Sequence, residues 1–183
     1  MKKTILVAGM LLSFFAVKAQ NINDTIISTY DKNNEIKLNV PLIVLGTFEA
    51  TYERLLNEKS SLGISGLYVF NTKNSDDDMN YSISPYYRRY FGKKYASGFF
   101  VEGFGMFSSI DGKKVYETDE RLTFSEGPDV FDLSLGIGLG SKCVTKSGFI
   151  FEVNLGWGKL LFNADKTDHN QVARFGFNIG HRF

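Results

Sequence analysis

Residues 172–183 read Val172-Ala173-Arg174-Phe175-Gly176-Phe177-Asn178-Ile179-Gly180-His181-Arg182-Phe183. Ala173, Phe175, Phe177, Ile179 and Phe183 share one parity, and Arg174, Gly176, Asn178, Gly180 and Arg182 share the other. A period of two marks an extended strand with one apolar and one polar face. The chain then stops on an aromatic residue, an ending that suits a strand closing a membrane barrel better than one in a soluble protein.

The same alternation recurs upstream. Phe131, Leu133, Leu135, Ile137 and Leu139 alternate with Asp132, Ser134, Gly136, Gly138 and Gly140, and Phe149, Phe151, Val153, Leu155 and Trp157 with Ile150, Glu152, Asn154, Gly156 and Gly158. Phe48, Ala50 and Tyr52 alternate with Glu49, Thr51 and Glu53. Pattern and breaks together predict eight strands, at 35–44, 47–56, 61–70, 81–91, 98–107, 130–140, 148–158 and 172–183. Each has roughly the length a tilted membrane-crossing strand requires. The window 98–107 is ambiguous, because Phe99, Val101 and Phe107 oppose Phe100, Phe104 and Met106, and a bulge there would shift its facing.

The connectors alternate as well. The segments 57–60, 92–97 and 141–147 are short and polar, whereas 71–80, 108–129 and 159–171 are longer and charged; only the tight turn at Gly46 departs from this. Short turns at one end and long loops at the other are expected of an outer-membrane barrel, with the long loops outside the cell. Tyr68, Phe70, Tyr81, Phe107, Phe131 and Trp157 fall toward the long-loop ends, and Tyr52, Phe91, Phe99, Phe149 and Phe183 toward the short-turn ends, as two interfacial girdles would. The fold predicted is all-β, an eight-stranded antiparallel up-and-down transmembrane β-barrel. Its large residues face lipid and its small or ionised residues face a narrow lumen, and closure leaves no backbone group unpaired in hydrocarbon.

At the other end of the chain, Lys2 and Lys3 precede an apolar run from Ile5 to Val17 that finishes in Val17-Lys18-Ala19. This is the layout of a secretory signal peptide covering 1–19, and the run is too short to span a bilayer as a helix. Residues 20–34 read as a polar periplasmic lead-in and 35–183 as the barrel. The 21 Lys+Arg nearly balance the 20 Asp+Glu, which gives no reason to expect nucleic acid or a polybasic membrane contact. Cys143 is the only cysteine, so no intramolecular disulfide can staple an exported fold; it falls in the predicted turn 141–147, free or paired with a partner.

On strand count, loop asymmetry, the terminal Phe183 and the run Ser84-Pro85-Tyr86-Tyr87-Arg88-Arg89-Tyr90-Phe91, the chain resembles the small eight-stranded outer-membrane barrels typified by the OmpA transmembrane domain and OmpX. The resemblance implies that Phe183 is the signal read by the barrel-assembly machinery. It implies outer-membrane lipid and lipopolysaccharide as surroundings. It does not imply direct cell-wall tethering, since the peptidoglycan-binding domain of OmpA-type proteins is not represented.

The inward charges form the first candidate constellation: Glu49, Glu53, Glu102, Asp132 and Glu152 against Arg88, Arg174 and Arg182. Closure would bring several within pairing distance, and unpaired charge there is costly. They build either a selective pore or a salt-bridged plug; the plug is favoured because eight strands enclose little free volume. A second constellation, Asp76, Asp77, Asp78, Asp165, Asp168 and His169, lacks calcium-loop spacing and reads as solvated loop charge. His181 has no serine near it to activate. Gly136-Ile137-Gly138-Leu139-Gly140 lacks the spacing of a nucleotide loop, and its glycines relieve crowding in a tight lumen.

No catalytic, cofactor or metal site is expected. The reading is a non-enzymatic outer-membrane barrel presenting its long loops to an extracellular ligand or partner, for envelope integrity or adhesion. A small porin-like channel, a lipid- or peptide-processing barrel enzyme and a soluble lipocalin-like carrier are the alternatives.

Overall fold

A computed structural model describes residues 32–70, 79–112, 114–116, 124–126, 128–164, 166–167 and 170–183. The barrel strands are β1 (Asn34–Asn39), β2 (Thr47–Asn57), β3 (Ser60–Val69), β4 (Met79–Tyr90), β5 (Gly98–Ile110), β8 (Val130–Val144), β9 (Phe149–Leu160) and β10 (Gln171–Arg182). They close in the order β1-β10-β9-β8-β5-β4-β3-β2, every pair antiparallel. A separate two-stranded ribbon, β6 (Lys114–Tyr116) with β7 (Phe124–Glu126), lies within the connection from β5 to β8. The closing seam is completed by Asn34 and Phe183, which exchange two backbone hydrogen bonds of 3.0 and 2.8 Å.

The barrel is inside-out relative to a soluble protein. Ile64, Tyr87, Val101, Ile137, Val153 and Phe175 are exposed on its outer wall, whereas Glu53, Lys37, Arg88, Glu102, Lys142 and Glu152 are buried. Only a hydrocarbon solvent rewards that arrangement, which also demands that the sheet close on itself. Both aromatic girdles are on the outside, with Tyr81 and Phe131 in contact near one end (ring centroids 6.1 Å) and Phe91 and Phe99 near the other (6.0 Å).

Four local expectations change. The first strand stops at Asn39 rather than residue 44, and Val40–Val44 forms a single helical turn, α1, with Pro41 in its first turn. Proline lacks the amide that a ladder needs and is tolerated at that helical position. The strand expected at 130–140 continues to Val144, so Cys143 lies on a strand, exposed, and the turn shrinks to Thr145–Gly148. Gly148 closes that turn at φ 90°, with its amide on the Thr145 carbonyl, a conformation for which glycine carries no steric penalty.

Strand β5 extends to Ile110, its facing is regular as far as Ser108, and it pairs with β8 without a break. Phe100, Glu102, Phe104 and Met106 point inward, and the irregularity is instead on β4 between Met79 and Tyr81. The inward rings of β5 are accommodated by β8. Phe100 pairs with Gly140, Glu102 with Gly138 and Phe104 with Gly136. A Cβ on Gly140 would lie 2.3 Å from the Val153 carbonyl oxygen and 2.5 Å from the Phe100 ring. Gly140→Ala is therefore expected to destabilise the barrel by about 1–3 kcal/mol, as overpacking does, measured by urea unfolding in lipid vesicles. An unchanged midpoint would show that the lumen yields there.

Candidate functional site

Because side chains alternate across each strand, every inward position of the barrel projects into one shared, narrow lumen. Its centre is a connected ion network. Near the short-turn end, Arg182 of β10 donates from Nε to Glu35 Oε1 of β1 at 2.8 Å and from Nη2 to the Ala96 carbonyl at 3.0 Å. Lys142 of β8 bridges Glu35 Oε2 at 2.8 Å and Glu53 Oε1 at 3.1 Å.

Deeper in, Glu53 of β2 is the hub. Its carboxylate accepts from Lys37 (2.5 Å), Tyr86 (2.9 Å), Arg88 (3.2 Å), Lys142 and the Tyr90 hydroxyl. Arg88 of β4 also donates from Nη1 to Glu152 Oε2 at 2.7 Å and from Nε and Nη2 to Glu102 Oε2 at 3.0 and 2.7 Å. Lys37 reaches Glu152 at 2.8 Å.

Glu35, Glu53, Glu102 and Glu152 thus face Lys37, Arg88, Lys142 and Arg182, equal numbers of each sign. Every barrel strand except β3 contributes. Burying charge is tolerable when it is paired and its remaining lone pairs and protons are bonded, and this cluster comes close to that condition. The network is also packed in aromatic surface. The Arg88 guanidinium lies 3.7 Å over the Phe100 ring centroid, and the Lys142 ammonium 4.4 Å over that of Tyr90, contacts that favour a desolvated cation.

Two apolar clusters bracket the network. At the short-turn end Leu55, Tyr90, Ala96 and Phe100 pack together with Tyr95 against them; toward the long loops Tyr86, Phe104, Met106, Ile110, Leu160 and Val172 do the same. The turn between β4 and β5 folds beneath the barrel, so that Ala96 is wholly buried with its amide on the Glu58 carbonyl at 2.8 Å. Salt bridges and rings together fill the lumen at the level of Glu53, as an eight-stranded barrel permits.

The residues singled out by sequence are distributed unevenly. Glu53, Arg88, Glu102, Glu152 and Arg182 meet in the network. Glu49 and Arg174 form a looser pair above it at 3.8 Å, with Arg174 3.6 Å from Glu102. Asp132 departs from the expected charge network. Its carboxylate accepts backbone amides of Leu133 (2.6 Å), Phe162 (3.2 Å) and Asn163 (2.8 Å), fixing the start of the β9–β10 loop, and among the described residues it meets no arginine. Phe183 is half exposed on the outer wall beside the seam.

Sequence reasoning passed over Glu35, Lys37, Tyr86, Tyr90 and Lys142. The signal was present for the first four, since Glu35-Ile36-Lys37-Leu38-Asn39 alternates cleanly and Tyr86 and Tyr90 share the parity of Arg88. Lys142 was hidden by ending its strand at Gly140, four residues early.

Among the described residues no group of three or more His, Cys, Asp and Glu side chains could hold a metal ion. His181 sits at the short-turn rim, edge-on to Phe149 (5.6 Å between centroids), with Nε2 3.2 Å from the Ser147 carbonyl. Asp76, Asp77, Asp78, Asp165, Asp168 and His169 lie outside the described residues.

A family model described as "Protein of unknown function (DUF3575)" matches residues 9–180. No curated protein matches. Among solved structures, the chain is similar to the backbone structure of the Yersinia pestis outer membrane protein Ail in a phospholipid bilayer nanodisc. That match has 16% identity and a TM-score of 0.42, and covers 83% of this chain and 99% of that one.

Proposed function

Since the chain belongs to the DUF3575 family of proteins of unknown function, a role has to come from its own geometry, and we propose that it is a non-enzymatic outer-membrane β-barrel. In this reading the short turns face the periplasm and the long loops 70–78, 111–129 and 161–170 face outward, where they serve adhesion, envelope integrity or partner binding. The observation that carries it is the combination of a lipid-compatible wall with a neutral, hydrogen-bonded plug. Such a wall is stable in hydrocarbon, and such a plug leaves no continuous aqueous path. The plug also disfavours the porin-like alternative. The barrel-assembly machinery is proposed to read Phe183, and lipopolysaccharide to surround the outer girdle.

Membrane fractionation with a heated-versus-unheated gel shift tests the localisation. The protein is expected with outer membranes and is expected to migrate differently before heating; a detergent-free soluble protein would sink the proposal. In planar bilayers the protein is expected to show no steady conductance. A sustained current altered by Glu152→Gln would revive the channel.

A further inference from the structure

Above Arg174 the plug gives way to a cavity of about 200 Å³. At its base, Arg174 and Asn154 are more than nine-tenths buried; Asn154 Oδ1 has no hydrogen-bond partner among the described residues, and Arg174 Nη1 has only the equally unbonded Glu102 Oε1 3.6 Å away, beyond hydrogen-bond distance. One is a donor and the other an acceptor, and leaving either bare in a buried site is unfavourable. The cavity flank is mixed, with Leu42, Val69, Met79 and Met106 on it beside Thr47, Glu49, Ser82 and Ser84.

The wall beside this cavity is not a continuous sheet. Pairing of β1 with β10 ends at Asn39↔Asn178, and with β2 at Leu38↔Ala50. Beyond that point α1, rather than a strand, fills the space between β10 and the first residues of β2. The Asn39 side chain stands in for the missing strand, donating to the Phe175 carbonyl at 2.9 Å and accepting from the Phe177 amide at 3.4 Å. Ala173 and Phe175 also line the cavity although their side chains point outward, so the cavity reaches this β10 edge. Val44 of α1 and the following Leu45 are 84% and 65% exposed.

We propose that the cavity is a binding site for an uncharged amphiphile that enters from the lipid between α1 and β10. Its apolar chain lies against Leu42, Val69 and Met106, and its hydroxyl or amide head meets Arg174 and Asn154. The head must both accept from Nη1 and donate to Oδ1, which an amide or hydroxyl does. A charged head is disfavoured on either sign: Glu49 and Glu102, at 3.8 and 3.6 Å, already flank the guanidinium, so an anion meets carboxylates and a cation meets Arg174. The inference rests on the membrane reading above.

The test uses the full chain in phosphatidylcholine nanodiscs, titrated with decanamide, decanoate and decylamine, and read by the NMR shift of the Asn154 side-chain amide. Decanamide is expected to bind saturably, one to one, and at least tenfold tighter than either charged probe. Met106→Trp, which fills the cavity, is expected to weaken it tenfold or more, and Asn154→Leu, followed by calorimetry, fivefold or more. Val69→Phe probes the same volume from β3 where Met106→Trp fails to assemble. Linear partitioning without saturation, equal affinity in the filled variants, or an Asn154 signal that reports water alone would overturn the site. A gel shift on the same samples separates the two ideas. An assembled barrel without binding removes only the site, whereas a protein that never inserts removes the membrane reading first.

Discussion

Replacing Glu53 by Ala is expected to destabilise the barrel by about 3–5 kcal/mol, the range for breaking a buried ion pair by removing one partner. The loss is large because Lys37, Arg88 and Lys142 all donate to this one carboxylate, together with Tyr86 and Tyr90. Without it three buried cations face one another with one acceptor fewer. Urea unfolding in lipid vesicles measures the effect, followed through the fluorescence of Trp157, the only tryptophan. Glu49→Gln provides the contrast. That carboxylate lies 3.8 Å from Arg174 and keeps an acceptor for Asn39 after substitution, so the expected cost is only about 1 kcal/mol, that of an ordinary hydrogen bond. The double variant Glu53→Ala/Lys37→Met is expected to cost less than the sum of its parts, because removing the cation relieves the charge left bare. Equal, additive losses at Glu53 and Glu49 would show that the network is a set of independent pairs.

Ile137→Arg is expected to cost about 2–4 kcal/mol in a bilayer, the penalty for a cation on the lipid face near the midplane of a barrel. Ile137 is at the centre of β8 and 77% exposed. In water such an exposed position would tolerate arginine within about 0.5 kcal/mol. The substitution therefore asks what solvent the wall meets. Phe149→Arg, at the first residue of β9 beside the short turn, is expected to cost about 0–1 kcal/mol because the side chain reaches the headgroups. A flat response along the wall would argue against a hydrocarbon environment.

Part of this was legible in single strands. The inward set of β9, with Glu152 and Asn154, and that of β10, with Arg174 and Arg182, follow from parity alone. Strand ends were harder. Pro41 converts the end of the first strand into α1, and only the competition between ladder and helical turn decides where. Lys142 lies beyond Gly140, where glycine, serine and lysine read as a turn. Yet the chain stays extended because β9 continues opposite it, pairing Lys142 with Glu152. Asp132 had the right parity for the lumen charge network. It takes backbone amides instead, because the loop after β9 returns across it.

What alternation by itself determined was the class of fold and which side of the wall each residue occupies. Facing is set by neighbours one residue apart, so a single strand carries the information. The tertiary structure decided the partners: Lys37 meets Glu152, Lys142 meets Glu35, and Arg182 reaches Ala96 across the base of the barrel. Those contacts depend on the register of every intervening pair and on the closure of the sheet. They also depend on where β1 stops, since that ending leaves the space which α1 fills beside the cavity. Register and closure are properties of the assembled barrel, and no segment of sequence holds them alone.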